Sequence, residues 1–257
     1  MAKHGILVIS HGSRSEAWVR LVDEAVAGAR LPADVPVFSS YLELVEGRLI
    51  QDGITYLEEL GVTDIIVVPL FVSSGSTHID EISYALGVKP EPLLPTDMSP
   101  FRIRARIHMR SPIDDDPVIA GILHEKIKPL SVEPSKELLL LVAHGSVERG
   151  FHALWRQGME QLAKRLQALG GYADAQTAML LPDQIQVRMK LWRKRYDPKD
   201  YSVIVAPLFL SEGYFTKQVI PERLAGYDYR YNGRALLPHE GISRWIEQQA
   251  APILVNG

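Results

Sequence analysis

An apolar run that stops at His-Gly-Ser occurs twice in this chain, as GILVISHGSR from Gly5 to Arg14 and as LLLLVAHGSVER from Leu138 to Arg149. Short apolar runs bounded by glycine predict strands buried on both faces, and such strands belong to parallel sheets covered by helices. The repetition does not end with the strand. After the first run come a helical stretch from Glu16 to about Arg30, an extended VPVFSSY ending near Tyr41, an amphipathic stretch from Arg48 to Leu60, and DIIVVPLFVSSG from Asp64 to Gly75. After the second come a helix to about Leu169, ADAQTAML, a helix from Asp183 to about Arg195, and YSVIVAPLFLSEG ending at Gly213. His11 matches His144, Pro69 matches Pro207, Phe71 matches Phe209 and Gly75 matches Gly213.

Each half then adds a helix, a fourth strand (RIRARIH at 102–108, YRYNGRAL at 229–236) and a closing helix. Strands alternating with helices of about 10 to 15 residues define βαβ units and a parallel sheet. The predicted fold is therefore α/β, with two similar doubly wound domains, each a four-stranded parallel sheet flanked by helices. The segment IKPLSVEPSKE, Ile127 to Glu137, breaks the periodicity with Pro, Ser and charge, so the domains are expected over 1–130 and 136–257. Only the first half carries VKPEPLLPTDMSP, Val88 to Pro100, whose four prolines predict a stiff loop, either a lid or a packing element.

A length of 257 residues accommodates two such domains, and 46% apolar with 23% charged residues is ordinary for a globular chain. No stretch approaches the roughly 20 apolar residues of a membrane span. Ser10 and His11 interrupt the first apolar run too early for a signal peptide. The absence of cysteine excludes disulfides, a thiolate nucleophile and a cysteine-ligated iron–sulfur cluster. A net charge of −3 without a long basic run gives no nucleic-acid footprint. A cytoplasmic protein with neither membrane nor nucleic acid as partner is expected.

In open parallel sheets ligands bind beyond the carboxyl ends of the strands, where strand order reverses. With strand one central and strands two and three on either side, His11 leaves strand one at that crevice. His78, in LFVSSGSTHIDE, follows strand three, and Glu43, in SYLELVEG, leaves strand two. Neutral imidazole is the commonest protein ligand for iron, cobalt, nickel and zinc. A structural zinc site would normally supply four protein ligands, and cysteine is absent. Two histidines with one carboxylate make an open site that holds a divalent metal loosely, and the carboxylate can also accept protons. Glu43 alone could equally serve a helix N-terminus, and Ser13 and Ser146 could cap the helices that follow them.

Taken together, ISHGSR, SYLELVEGRLIQDGI, VVPLFVSSGSTHIDEI and VAHGSVERG resemble the sirohydrochlorin chelatases, a branch of the class II chelatases, in their longer duplicated form. The resemblance covers nearly the whole chain. It implies insertion of Fe2+ or Co2+, with Ni2+ a further candidate, into sirohydrochlorin on the way to siroheme or cobalamin. It also implies two doubly wound domains facing across a cleft, with His11 and His78 as metal ligands and Glu43 assisting. The metal is then a substrate, no prosthetic group is needed, and a monomer suffices because the duplicated halves supply the cleft. Sirohydrochlorin carries many carboxylates, so cations and helix N-termini should grip its rim; Ser13, Arg14 and, from the second half, Lys217 are the substrate-binding candidates. One departure concerns the third segment. The family usually reads Gly, one residue, His and a downstream Asp-Ile-Pro, whereas this chain reads Gly75-Ser-Thr-His78-Ile-Asp80-Glu81-Ile82.

The second half keeps His144, but its match to His78 falls at or near Thr216 and its match to Glu43 around Ala178, so it is expected to wall the site without holding metal. Two other readings use the same residues. A histidine phosphatase would need Arg immediately before the nucleophilic His, where Ser10 and Ala143 stand. A metal- or tetrapyrrole-binding protein without catalysis would look the same in sequence.

Overall fold

A computed structural model describes residues 2–256. In chain order the first half forms β1 (His4–Ser10), α1 (Glu16–Ala27), β2 (Val37–Tyr41), α2 (Ile50–Glu59), β3 (Asp64–Pro69), α3 (Thr77–Ala85), β4 (Arg106–Met109) and α4 (Pro117–Ile127). The second half forms β5 (Glu137–Gly145), α5 (Arg149–Gly170), β6 (Asp174–Leu181), α6 (Ile185–Arg195), β7 (Ser202–Pro207), α7 (Ile220–Arg223) and α8 (Glu240–Asn256). All pairings are parallel, in the orders β2-β1-β3-β4 and β6-β5-β7. The two apolar runs thus become the central strands, with the next two strands on opposite sides of each.

The chain packs as two compact units, residues 1–113 with 240–257, and residues 114–239. In the first, every residue from Gly5 to Ser10 is buried, as a strand covered on both faces must be. Leu7, Ile9, Ile65 and Val67 pack with Ile50, Ile54 and Leu57 of α2 and with Ile79, Ile82 and Leu86 at α3. On the opposite side α8 contacts β3 and α1, and its Trp245 is fully buried. Each such aliphatic side chain contributes about 1.5–3 kcal/mol by leaving water. In the second unit Leu138, Leu140, Val142, Val203 and Val205 pack with Ile185, Met189 and Trp192 of α6. Helix α5 lies against β5 and β6, and α4 against β7 and α5.

The closing helices are therefore exchanged. Helix α4 follows the first sheet in sequence but packs in the second unit, and α8 follows the second sheet but packs in the first. The sequence repeat, which divides near 130–136, and the packed units, which divide at 113 and 239, are different partitions of one chain.

The second sheet departs from the expected four strands. The segment expected as its last strand contributes one bridge, Ile204 to Arg230, with Val205 N donating to Arg230 O and Arg230 N to Val203 O. Pairing stops there because Asn232 and Gly233, the latter at φ +70, turn the chain away. Tyr231 donates its hydroxyl to Thr216 O at 2.7 Å and so anchors that turn. Among the described residues no helix is long and apolar enough to cross a membrane.

Candidate metal centre

The site lies at the carboxyl edge of the first sheet, where β1 and β2 stay hydrogen-bonded past their ends. Leu42 N donates to Ser10 O at 2.8 Å and Glu43 N to His11 O at 3.2 Å. Gly12 makes this approach possible. Its φ is +100, and a Cβ there would stand 2.0 Å from the Glu43 carbonyl oxygen. Only glycine combines that backbone angle with that absence of bulk.

The segment carrying Glu43 is closed by a polar clamp. Tyr41 N donates to Arg48 O at 2.9 Å, and the Arg48 guanidinium meets Asp23 at 2.5 and 2.8 Å. The Tyr41 hydroxyl, pushed up to about 12 by burial, donates to Asp23 at 2.8 Å. Burial opposes ionisation of Asp23, but the bonds from Arg48 and Tyr41 outweigh it and hold the carboxyl below its usual range. Arg48→Met should cost about 1–2 kcal/mol in urea denaturation at pH 7, between the values of exposed and buried ion pairs, since the partners are about a third exposed. Because the folded-state value of Asp23 is depressed, its contribution is complete above the ordinary carboxyl value of 3.8 and fades as pH falls below it. The difference between wild type and variant should shrink over the same range.

His11 and His78 come together as the sequence pattern predicts. Their ring centres are 4.9 Å apart and their planes cross at 75°. A metal–nitrogen distance of about 2.1 Å places an imidazole centre about 3.2 Å from the ion, so two rings at a roughly tetrahedral angle would stand about 5 Å apart. The observed spacing suits one shared ion. His11 Nδ1 is 3.3 Å from Gly12 O and 3.7 Å from Glu43 Oε1; His78 Nδ1 is 3.2 Å from Glu81 Oε2. Carbonyl and carboxylate oxygens only accept, so each Nδ1 carries the proton and each Nε2 keeps its lone pair. Both side chains remain partly open to solvent, 44% for His11 and 37% for His78.

Glu43 joins this pair on the Nδ1 side of His11, with its side chain 54% exposed. Among the described residues no group of three or more histidine, aspartate or glutamate side chains is assembled to hold a metal ion. Two imidazoles leave coordination positions open to incoming donors, unlike a closed structural site. Ser13 Oγ accepts from Ser15 N at 3.1 Å, while Ser15 caps α1 through Trp18 N. Arg14 lines a surface recess with Ser13, Glu16, Arg20 and Glu46. Lys217 belongs to the second unit, in the π-helical turn Phe215–Val219, 3.5 Å from Glu212. Of the remaining histidines, His108 bonds Asp64 at 2.8 Å, and that bond holds the Asp64 carboxyl below its usual range.

The second unit repeats the first part of this geometry. His144 Nδ1 is 3.1 Å from Gly145 O, and Gly145, at φ +80, leaves room for Leu181 O. The position of His78, however, is filled by Phe215, whose ring lies 5.0 Å from that of His144 at 88°. The match expected at or near Thr216 thus falls at its neighbour Phe215. The match to Glu43 is Leu181 and not Ala178. Strand β6 pairs through Gly145–Leu181, as the backbone beyond β2 pairs through His11 and Glu43. Neither replacement can bind a metal.

The molecule thus holds two tandem parallel α/β units, one of them with two histidines paired at its strand ends. The CbiX family model matches residues 5–130 and again 138–252. The sirohydrochlorin cobaltochelatase of Methanopyrus kandleri is 27% identical over 135 residues, covering 48% of this chain and 94% of that protein. The solved structure of SirB from Bacillus subtilis with Fe3+ superposes with a TM-score of 0.74 at 19% identity, over 99% of this chain and 96% of that one. CbiX, described as the terminal enzyme for biosynthesis of siroheme in denitrifying bacteria, gives 0.66 at 17% identity, over 97% and 98%. The chain belongs to the CbiX family, in a form carrying two copies of the family unit.

Proposed function

We propose that the protein is a chelatase that inserts Fe2+ or Co2+ into sirohydrochlorin, with His11 and His78 holding the incoming metal. The observation that carries this reading is the imidazole pair, 4.9 Å apart, with each Nδ1 facing an oxygen acceptor. The relatives support the substrate class: one is named a sirohydrochlorin cobaltochelatase, and SirB structures carry Fe3+ or cobalt.

Insertion exchanges the metal's protein and water ligands for four macrocycle nitrogens, while two pyrrole N–H protons leave. An incomplete protein ligand set suits that exchange, because a metal held by two imidazoles can be passed on. Glu43, exposed and next to His11, takes protons from the macrocycle and releases them to water. Arg14 and Ser13, in the turn that follows His11, engage substrate carboxylates. A cytoplasmic monomer goes with this reading, since one chain carries both copies of the family unit.

Purified protein mixed anaerobically with sirohydrochlorin and either Fe2+ or Co2+ should change the absorbance faster than a protein-free control, and the faster metal identifies the preferred substrate. Spectra that show macrocycle binding without acceleration by either metal would contradict the reading. The two halves should also be unequal. His144→Ala is expected to keep the rate within about threefold of wild type, since Phe215 and Leu181 leave His144 without a second ligand. Steady-state rates at saturating metal check it, and a loss as large as that of His11→Ala would place chemistry in both halves.

A further inference from the structure

Asp80 and Glu81 are adjacent in sequence, yet the structure gives them separate tasks. Asp80 is buried, pairs with the Lys89 ammonium and accepts from Leu93 N at 2.7 Å. It is committed to holding the proline-rich segment 88–100 against α3. Glu81 stands three residues after His78, one turn along the same helix face. Its Oε2 is 3.2 Å from His78 Nδ1, and its Oε1 accepts from the Thr96 hydroxyl at 3.2 Å. Thr96 Oγ1 accepts in turn from Met98 N at 3.1 Å. One carboxylate oxygen is thus tied to the proline-rich segment and the other to the imidazole.

An imidazole free in water favours the tautomer with its proton on Nε2, the nitrogen that would have to meet the metal. A carboxylate on Nδ1 reverses that preference and also fixes the ring rotation. We propose that Glu81 is a positioning residue for His78: it holds the ring as the Nδ1–H tautomer with Nε2 open to the metal, and Thr96 of the proline-rich segment holds Glu81 in place. This rests on the reading of His78 as a metal ligand. It assigns the segment found only in the first half a task at the site, that of a strut behind one ligand. Among the described residues, the rings packed against that of His78 are those of His11 at 4.9 Å and Phe71 at 6.4 Å.

The test compares wild type, Glu81→Ala, Glu81→Gln and His78→Ala as full-length, metal-free proteins. Long-range 15N–1H spectra of histidine-labelled protein, at a pH above the imidazole range, report the tautomer of His78 without any turnover. Wild type and Glu81→Gln should show Nδ1–H, since the glutamine amide oxygen accepts the same bond. Glu81→Ala should move towards Nε2–H. Calorimetric titration with Co2+ alone should show Glu81→Ala weakened about 10- to 100-fold, the usual cost of losing a group that orients a ligating histidine, with Glu81→Gln close to wild type. Thermal melts confirm that each variant is folded. An unchanged tautomer and an unchanged Co2+ affinity in Glu81→Ala, alongside lost affinity in His78→Ala, would overturn the role of Glu81 alone. Wild-type affinity in His78→Ala would overturn the metal-site reading together with it.

Discussion

His11→Ala and His78→Ala should each lower the rate of metal insertion by more than about 100-fold, beyond the 10- to 100-fold cost of losing a group that merely orients a ligand. Each substitution would remove one of the two nitrogens proposed to hold the incoming ion, and one imidazole has no useful affinity for a labile divalent metal. The effect should fall on the metal-dependent step, so that binding of sirohydrochlorin alone, followed by its absorbance, stays near wild type. Stability should change little. Both side chains are about 40% exposed, and each leaves a strand end or opens a helix without filling the core. Thermal melts within a few degrees of wild type, together with the lost rate, are the expected result. Variants that turn over normally would remove both residues from the mechanism.

Gly12→Ala should have the largest structural effect. A methyl group there would sit 2.0 Å from the Glu43 carbonyl oxygen, at a φ of +100 that L side chains rarely adopt. Backbone strain of about 1–3 kcal/mol and a similar overpacking cost give a destabilisation of about 2–6 kcal/mol. The fraction that folds can do so only by moving Glu43 away from His11, so activity per folded molecule should fall as well. Gly145→Ala is the internal control. Its Cβ would meet Leu181 O and Met179 Cβ at 2.6 Å with φ at +80, so it should destabilise comparably. It alters a strand end without a metal site, and its folded fraction should retain most of its activity. Chemical denaturation and rates normalised to folded protein separate the two effects.

Much of this molecule was legible in the sequence because its signals are local or repeated. The uninterrupted apolar runs of β1 and β5 mark central parallel strands, and their repetition exposes the duplication. The strand ends carrying His11 and the start of α3 carrying His78 converge as the strand order dictates, since β1 lies between β2 and β3. What the sequence concealed depends on tertiary context. Nothing local marks the exchange of α4 and α8, because an amphipathic helix can cover either sheet equally well. The fourth strand of the second sheet reads as a strand, but Asn232 and Gly233 stop its pairing after one bridge. Glu81 did carry a signal, its spacing of three from His78 on a helix, which sets it apart from Asp80.

The proposed site has one divalent ion shared by His11 and His78. Anomalous diffraction at the cobalt edge from crystals soaked in Co2+ measures this directly. A single strong peak is expected within about 2.2 Å of both Nε2 atoms, with water completing the coordination and no peak at His144. A peak bound to only one of the two histidines, or an ion held at His144, would contradict it.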